Sequence, residues 1–164
     1  MKAFAQLVQE VGSSSKTNEK LAALVQYFQQ ASDADKVWTI AIFSGRRPKR
    51  FVNTRQLTQW CLEMSNMPEW MFEECYHTVG DLAETIALLK PTHVADKAND
   101  ISTASLAQLI GGFIQLQKAT DEEKKIFVAN HWLQMDFDAC FVFNKLITGG
   151  FRIGVSQKMM VNAL

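Results

Sequence analysis

The chain is organised around one glycine-rich run, Thr148-Gly149-Gly150-Phe151-Arg152-Ile153-Gly154-Val155-Ser156-Gln157-Lys158. Its glycines permit positive φ angles and a close approach of the backbone to another molecule. Ser156 is a typical N-cap for a helix that begins at Gln157. The free amides of such a helix start, beside Arg152 and Lys158, favour a bound phosphate. The run therefore predicts an anion-binding loop, although a helix C-cap followed by a tight turn would also explain its glycines.

Outward from this run, the chain has the pattern of a helical protein. Phe137 to Ile147 is apolar nearly all round and follows an Asp136 cap, which predicts a buried helix. Val37 to Phe43 has the same character, and we expect these two helices to pack against each other in the middle of the domain. Elsewhere, apolar residues recur at spacings of three and four between capping residues and breakers. The sequence predicts an all-α, single compact domain of about nine or ten helices over residues 1–164.

Three local features refine this prediction. Ser32 and Asp35 have the spacing of a capping box. Gly111-Gly112 lies inside a helical pattern, which each glycine weakens by roughly 1 kcal/mol relative to alanine, so we expect close packing against a neighbouring helix there. Lys90 to Ser102 is the longest polar connection, and we expect it to be a mobile loop.

The total charge does not indicate a nucleic-acid-binding protein, because the chain has 17 basic and 17 acidic side chains. The charges are nevertheless segregated. No acid occurs between Asp35 and Glu63, where the cations are Lys36, Arg46, Arg47, Lys49, Arg50 and Arg55. After Asp138 there is again no acid, and the cations are Lys145, Arg152 and Lys158. This distribution predicts one positive face, with chance clustering on solvated surfaces as the alternative.

Several functional classes find no support in the sequence. The three cysteines are odd in number and far apart, which indicates reduced thiols rather than a disulfide framework. No apolar run approaches the roughly 20 residues that span a bilayer, and the N-terminal residues lack the apolar region of a signal peptide. We therefore expect a cytoplasmic protein without a membrane partner.

Catalytic and metal-binding signatures are also missing. The histidines show no metal-ligand spacing, and there is no phosphate-binding loop, nucleophile elbow or dinucleotide fingerprint. Four carboxylates could line a catalytic cleft, but a solvated helix face explains them more simply: Glu73, Glu74, Asp81 and Glu84. We expect no catalytic residue and no metal site in this chain.

Binding is better supported. A basic loop between helices, with Arg55 just inside the next helix, would neutralise phosphates and position a protein on a duplex without reading its sequence. No helix carries base-reading side chains at a regular spacing, so we expect backbone and shape recognition across a minor groove. The backbone amides of Gly149, Gly150 and Gly154 would supply a second anchor.

Three more segments carry a resemblance to a known family: Ile42-Phe43-Ser44-Gly45-Arg46-Arg47-Pro48-Lys49-Arg50, Pro68-Glu69-Trp70-Met71-Phe72-Glu73-Glu74-Cys75-Tyr76 and Val79-Gly80-Asp81-Leu82-Ala83-Glu84-Thr85-Ile86-Ala87-Leu88-Leu89. Together with the glycine-rich run and Val161-Asn162-Ala163-Leu164, in this order, they resemble the N-terminal segment of bacterial ATP-dependent DNA ligases. The resemblance implies a helical domain that clamps double-stranded, nicked DNA along its minor groove.

In that family the domain precedes an adenylation domain, in which a Lys-x-Asp-Gly-x-Arg motif receives AMP, and an OB-fold domain. This sequence contains no such motif. The resemblance therefore implies a non-catalytic first domain of a longer ligase. The parent enzyme would use ATP and Mg²⁺ in DNA repair, replication or recombination at the nucleoid, and its catalytic domains would be partners of this one.

The resemblance also implies a set of DNA-contact residues. They are Arg46, Arg47, Lys49, Arg50, Gly150, Arg152, Gly154, Ser156 and Lys158, with Thr78 and Gly80 as further candidates. A helical protein–protein interaction domain, which would use exposed aromatic side chains, is the alternative function.

Overall fold

The computed structural model describes residues 1–91, 104–151 and 153–164. These ranges contain α-helices, a short 3₁₀ turn at Leu116–Lys118 and no strand. The helices are α1 (Lys2–Ser13), α2 (Thr17–Gln30), α3 (Asp33–Phe43), α4 (Thr54–Ser65), α5 (Glu69–Val79), α6 (Leu82–Leu89), α7 (Leu106–Gln115), α8 (Asp121–Gln134), α9 (Phe137–Thr148) and α10 (Gln157–Ala163). The prediction of an all-α domain with nine or ten helices is confirmed for the described part of the chain. Arg152 and most of the expected mobile loop lie outside the described residues.

Short-range hydrogen bonds define most of the helix starts. Seven N-cap side chains accept a hydrogen bond from the amide three residues later: Ser32, Asn53, Asp81, Ser105, Thr120, Asp136 and Ser156. A cap of this kind contributes about 1 kcal/mol to helix stability. Because these interactions are local, the sequence pattern alone can predict where these seven helices begin.

The capping box expected at Ser32 forms only in part. The Ser32 hydroxyl accepts from the amide of Asp35 at 3.2 Å. The Asp35 carboxylate, however, accepts from the amide of Ala107 at 2.8 Å, at the start of α7. Since α3 packs against α7, this carboxylate caps the neighbouring helix rather than returning to its own.

Helix α9 lies in the centre of one hydrophobic core, as its apolar sequence predicts. It packs chiefly against α6 and α1. Its one buried polar side chain, Asn144, accepts a hydrogen bond from the indole of Trp132 at 2.8 Å and donates to the carbonyl of Ala83 at 3.1 Å. Because its amide is satisfied on both sides, Asn144 joins α8, α9 and α6 without the cost of an unpaired buried polar group.

Val37 to Phe43 was predicted to form a helix in the middle of the domain, packed against α9. This prediction is wrong in two respects. Helix α3 buries only Thr39 and Ile42, and Val37 is 64% exposed. Its main partner is α7 and not α9. A helix that is apolar all round can lie at the edge of a core when only one stripe is covered, because folded proteins leave much apolar surface in contact with water.

Two helices at the C-terminal end hold the glycine-rich run between them. Helix α9 leads into the run, and α10 packs back against α2, which itself packs against α1. Phe151, Ile153 and Val155 are half-buried and pack against the core. The alternating apolar side chains therefore attach an extended segment to the domain without forming a sheet.

The polar connection after α6 begins inside the protein. Lys90 is 6% exposed, and its ammonium donates to the carbonyl of Met135 at 2.8 Å. The first residue of the predicted mobile loop is therefore fixed, because its ammonium donates to the carbonyl that follows α8. Residues 92–103, on which the rest of that prediction falls, lie outside the described ranges.

None of the described helices is long and apolar enough to cross a bilayer.

Candidate nucleic-acid interface

The basic run after α3 is held by the residues on both sides of it. Gly45, with a φ of 81°, turns the chain away from the end of α3. Directly after the cations, Phe51 and Val52 are buried, and the ring centroid of Phe51 lies 4.9 Å from that of Phe113. These anchors leave the predicted cations in solvent: Arg46, Arg47, Lys49 and Arg50.

This basic run contacts the start of the glycine-rich run. The guanidinium of Arg47 lies against Gly149 so closely that a Cβ on this glycine would be 1.5 Å from Nη1 of the arginine. The guanidinium of Arg50 donates a hydrogen bond to the carbonyl of Thr148. The structure therefore brings together two segments that are about a hundred residues apart in sequence.

A groove of about 630 Å³ lies beside this contact, between α4, the α5–α6 junction and the C-terminal end of α9. Three residues predicted to contact DNA line it: Arg55, Gly80 and Gly149. The other lining residues are Thr54, Thr58, Gln59, Leu62, Glu69, Tyr76, Asp81, Leu82, Ala83, Lys145 and Thr148. The groove is polar, with hydroxyl, amide and guanidinium groups on its α4 side.

Lys145 and Asp81 form an ion pair on the wall of this groove. Burial raises the pKa of the Asp81 carboxyl, but hydrogen bonds from Lys145 and from the amide of Glu84 outweigh burial and lower the pKa below its ordinary 3.8. The ammonium of Lys145 also lies 5.6 Å from the ring centroid of Phe141. This pair joins α9 to the start of α6 and shapes the groove.

Two of the glycines that were predicted to contact DNA use their backbone amides inside the protein. The amide of Gly80 donates to the carbonyl of Tyr76, and that of Gly149 to the carbonyl of Lys145, each at 2.8 Å. Both glycines have a φ of 79° and end a helix, a position that favours glycine. The expectation that the Gly149 amide would donate to a phosphate is therefore wrong. The Thr78 hydroxyl likewise donates to the carbonyl of Glu74 within α5, at 2.9 Å.

Four predicted contact positions in the described part of the run are exposed: Gly150, Gly154, Ser156 and Lys158. Gly150 and Gly154 have φ angles of 110° and 62°, and neither amide donates a hydrogen bond within the described residues. Ser156 caps α10 through the amide of Met159, and Lys158 is exposed in the first turn of that helix. The exposure of these residues is consistent with a surface that binds a ligand.

Six of the predicted cations form no ion pair within the described residues, whereas Lys36 pairs with Asp33 and Lys145 with Asp81. Within the described ranges, the ion pairs involve other side chains, such as Lys16 with Glu19 and Lys125 with Glu63. No acid pairs with any of the exposed cations Arg46, Arg47, Lys49, Arg50, Arg55 and Lys158 in this part of the chain. Their charges are therefore available to an anionic partner.

The carboxylates considered for a catalytic cleft do not converge. Asp81 lines the groove, but Glu73 and Glu74 are exposed on α5 and Glu84 lies outside the groove lining. In the described residues, no group of three or more His, Cys, Asp or Glu side chains could hold a metal ion. The solvated helix face is the better interpretation for Glu73 and Glu74.

All three cysteines are free, as expected. Burial raises the pKa of Cys61 and of Cys140 to about 12, so both thiols are protonated at neutral pH. A protonated, buried thiol is a poor nucleophile. The core cysteines therefore have a packing role.

Sequence reasoning missed some residues of this surface. Thr54 and Thr58 lie one turn apart on α4 and face the groove beside Arg55. Their spacing of four was visible in the sequence, but only the packing of α4 against α6 shows which face they occupy. Lys20, on α2, was also missed, because its contact with the glycine-rich run is made across 133 positions.

The fold and the surface together define a class of protein: an all-α domain with a cationic loop, a glycine-rich run and a polar groove beside their contact. The particular family follows from comparison with family models, of which the one described as "DNA ligase N terminus" matches residues 1–164. The chain belongs to this DNA ligase N-terminal family. A sequence search of curated proteins finds no match.

Proposed function

We propose that this chain is a non-catalytic module that binds double-stranded DNA, intact or nicked, without sequence preference. The observation that carries the proposal is the contact of Arg47 with Gly149 and of Arg50 with Thr148, beside a groove that Arg55 also lines. This contact concentrates unpaired cations on one surface of a chain whose total charge is zero. Membership of the DNA ligase N-terminal family supports the same function.

The contacts of such a surface would be made with the phosphate backbone. Arginine and lysine neutralise phosphates and release counterions, which makes binding steeply dependent on salt. Such contacts fix the position of a protein on a duplex but carry no sequence information. The exposed loop cations and the α4 hydroxyls of Thr54 and Thr58 suit this mode. Shape recognition across the minor groove is part of the proposal.

The role of the module follows from its family. It would hold nicked DNA as the N-terminal domain of an ATP-dependent DNA ligase while the catalytic domains of that enzyme close around it. ATP and Mg²⁺ would act in those catalytic domains, because this sequence lacks the Lys-x-Asp-Gly-x-Arg motif that accepts AMP. A bacterial, cytoplasmic and nucleoid-associated parent enzyme, with a role in repair, replication or recombination, completes the proposal.

The proposal is tested by measuring fluorescence anisotropy of a labelled nicked duplex at several salt concentrations. The combined change Arg47→Ala and Arg55→Ala should weaken binding and reduce the slope of log K against log salt by about two, roughly one unit for each lost phosphate contact. Thermal stability should change little, because both side chains are exposed.

A matched control removes two cations that each pair with an acid three residues away. Lys16 pairs with Glu19 at 2.9 Å, and Lys36 with Asp33 at 3.4 Å. The combined change Lys16→Ala and Lys36→Ala should leave the salt slope nearly unchanged. Absent or salt-independent binding by the wild-type chain would refute the proposal, as would an equal loss in the control.

One observation favours the alternative function, a protein–protein interaction domain. Helix α5 buries only Phe72, and Trp70 on its outer side is 64% exposed. Met71 and Tyr76 are also exposed on this helix. If the wild-type chain fails to bind DNA, the aromatic side of α5 becomes the favoured functional surface. Tyr76, however, also lines the groove, so its exposure is consistent with DNA binding as well.

A further inference from the structure

A single lysine joins α2 to the middle of the glycine-rich run. The ammonium of Lys20 lies 3.0 Å from the carbonyl oxygen of Ile153 and 3.4 Å from that of Gly154, and it donates to both. No acid pairs with Lys20 within the described residues. Lys16, one turn earlier, instead pairs with Glu19. The two lysines are four residues apart but have different partners.

The part of the run that Lys20 contacts lies outside regular secondary structure. Residues 153 to 156 belong to neither helix nor strand, so their backbone lacks the repeated hydrogen bonds of those structures. The side chains of Phe151, Ile153 and Val155 hold one side of the run against the core. The carbonyls of Ile153 and Gly154 receive a charged donor from Lys20.

Gly154 shows how close this attachment is. Its φ of 62° lies in the left-handed region, and a Cβ at this position would be 3.0 Å from the ammonium of Lys20. Lys20 therefore contacts the backbone at Gly154, which is the only described residue between Phe151 and Ser156 with a positive φ. Beyond it, α10 packs against the same helix that carries Lys20.

We propose that Lys20 is a positioning residue for DNA binding: its ammonium holds the carbonyls of Ile153 and Gly154 and so presents the exposed residues Gly154 and Ser156 to phosphates. This inference rests on the proposed function. Two of the three ammonium hydrogens are used inside the protein, so Lys20 acts through the backbone that it holds. The run, and with it the start of α10 at Ser156, then has one orientation before DNA arrives, which lowers the entropy lost on binding.

Two measurements on Lys20→Met test the proposal, since methionine has a similar length but no donor. The first is the ¹H–¹⁵N heteronuclear NOE of Gly154 and Val155 in the DNA-free chain, which reports picosecond-to-nanosecond order. The second is the affinity for a nicked duplex. We expect lower NOE values and about tenfold weaker binding, because DNA would then have to order a segment that about one charged hydrogen bond holds in the wild type.

Two further variants separate positioning from charge. Lys20→Arg keeps a cation with several donors and should retain both the order of the run and most of the affinity. Lys16→Met removes the same charge one turn away and should leave the NOE values unchanged and the affinity nearly so. A melting temperature close to that of the wild type would show that Lys20→Met has not unfolded the domain.

Three results would overturn the proposal. Unchanged NOE values in Lys20→Met would show that the lysine does not order the run. A salt slope lowered by about one with unchanged NOE values would make Lys20 a direct phosphate contact. An equal loss of affinity in Lys16→Met would show that Lys20 contributes only through the net charge. If the wild-type chain does not bind DNA, the proposed function and the binding role of Lys20 both fail, while lower NOE values would still establish the attachment.

Discussion

Gly149 shows how one residue can connect two distant segments. Its φ of 79° and ψ of 169° lie in a backbone region that essentially only glycine occupies. The guanidinium of Arg47 fills the space that a Cβ would need. The sequence analysis singled out this residue for a free backbone amide. The structure shows that the absence of a side chain matters more than the amide, because the amide already donates a hydrogen bond at the end of α9.

We predict that Gly149→Ala destabilises the domain by about 1–3 kcal/mol, the usual cost of forcing a side chain into this backbone region. The same change should weaken DNA binding, since the Cβ displaces Arg47. Urea denaturation and anisotropy measure the two effects.

The control for this prediction is Gly12→Ala in α1, where a Cβ would meet no atom within 4 Å. This helical position should gain up to about 1 kcal/mol of stability. A Gly149→Ala variant that is as stable as the wild type and binds DNA equally well would contradict our account of the Arg47 contact.

At the scale of elements, the two adjacent glycines in α7 have different surroundings. A Cβ on Gly112 would lie 3.0 Å from Cζ of Phe127, whereas a Cβ on Gly111 would meet nothing within 4 Å. Phe127 is itself packed against aromatic neighbours, including Phe51 and Phe113. The sequence-based expectation of close helix packing therefore holds for Gly112 but not for Gly111.

These two glycines allow a matched test. Gly111→Ala should stabilise the domain by up to about 1 kcal/mol, because alanine is the better helix former. Gly112→Ala should gain less or lose stability, since the Phe127 ring must move to admit the new methyl group. Chemical denaturation of both variants measures the difference. Equal gains in free energy of unfolding would show that the ring yields without cost.

At the scale of the whole molecule, one buried histidine couples stability to pH. The imidazole of His131 packs against the rings of Phe127 and Phe143, with centroid distances of 4.2 and 5.2 Å. Burial lowers the pKa of His131 below its ordinary 6.5, only partly opposed by a hydrogen bond to the carbonyl of Phe127. The unfolded chain therefore binds a proton at a higher pH than the folded chain does.

We predict that the domain loses stability as the pH falls below about 6.5, by at most about 1.4 kcal/mol per pH unit from this residue. Above that pH, His131 is neutral in both states and has no such effect. His131→Phe should flatten the dependence between pH 7 and pH 5, as measured by denaturation at each pH. His77→Gln, on the exposed side of α5, is the control and should keep the wild-type dependence. Parallel pH curves for His131→Phe and the wild type would contradict this account.

The charge of the molecule also has to be described at this scale. Equal numbers of acids and bases cancel in total, yet the cations around Arg46 to Arg50 and Arg55 meet the glycine-rich run on one surface. The sequence showed that the charges are segregated. It did not show that the two segments touch, and the proposed DNA interface depends on that contact.

The sequence by itself determined the local structure of this protein: its all-α class, most of its helix starts and the burial of α9. Helix starts follow from a capping side chain and the amide three residues later, and burial follows from the spacing of apolar residues. Both act within one helix. Only the tertiary structure decided that α3 lies at the edge, that Arg47 packs on Gly149, that two glycine amides are already used, and that Lys20 holds the run. Those contacts join positions far apart in the chain, so they depend on how whole helices pack against one another.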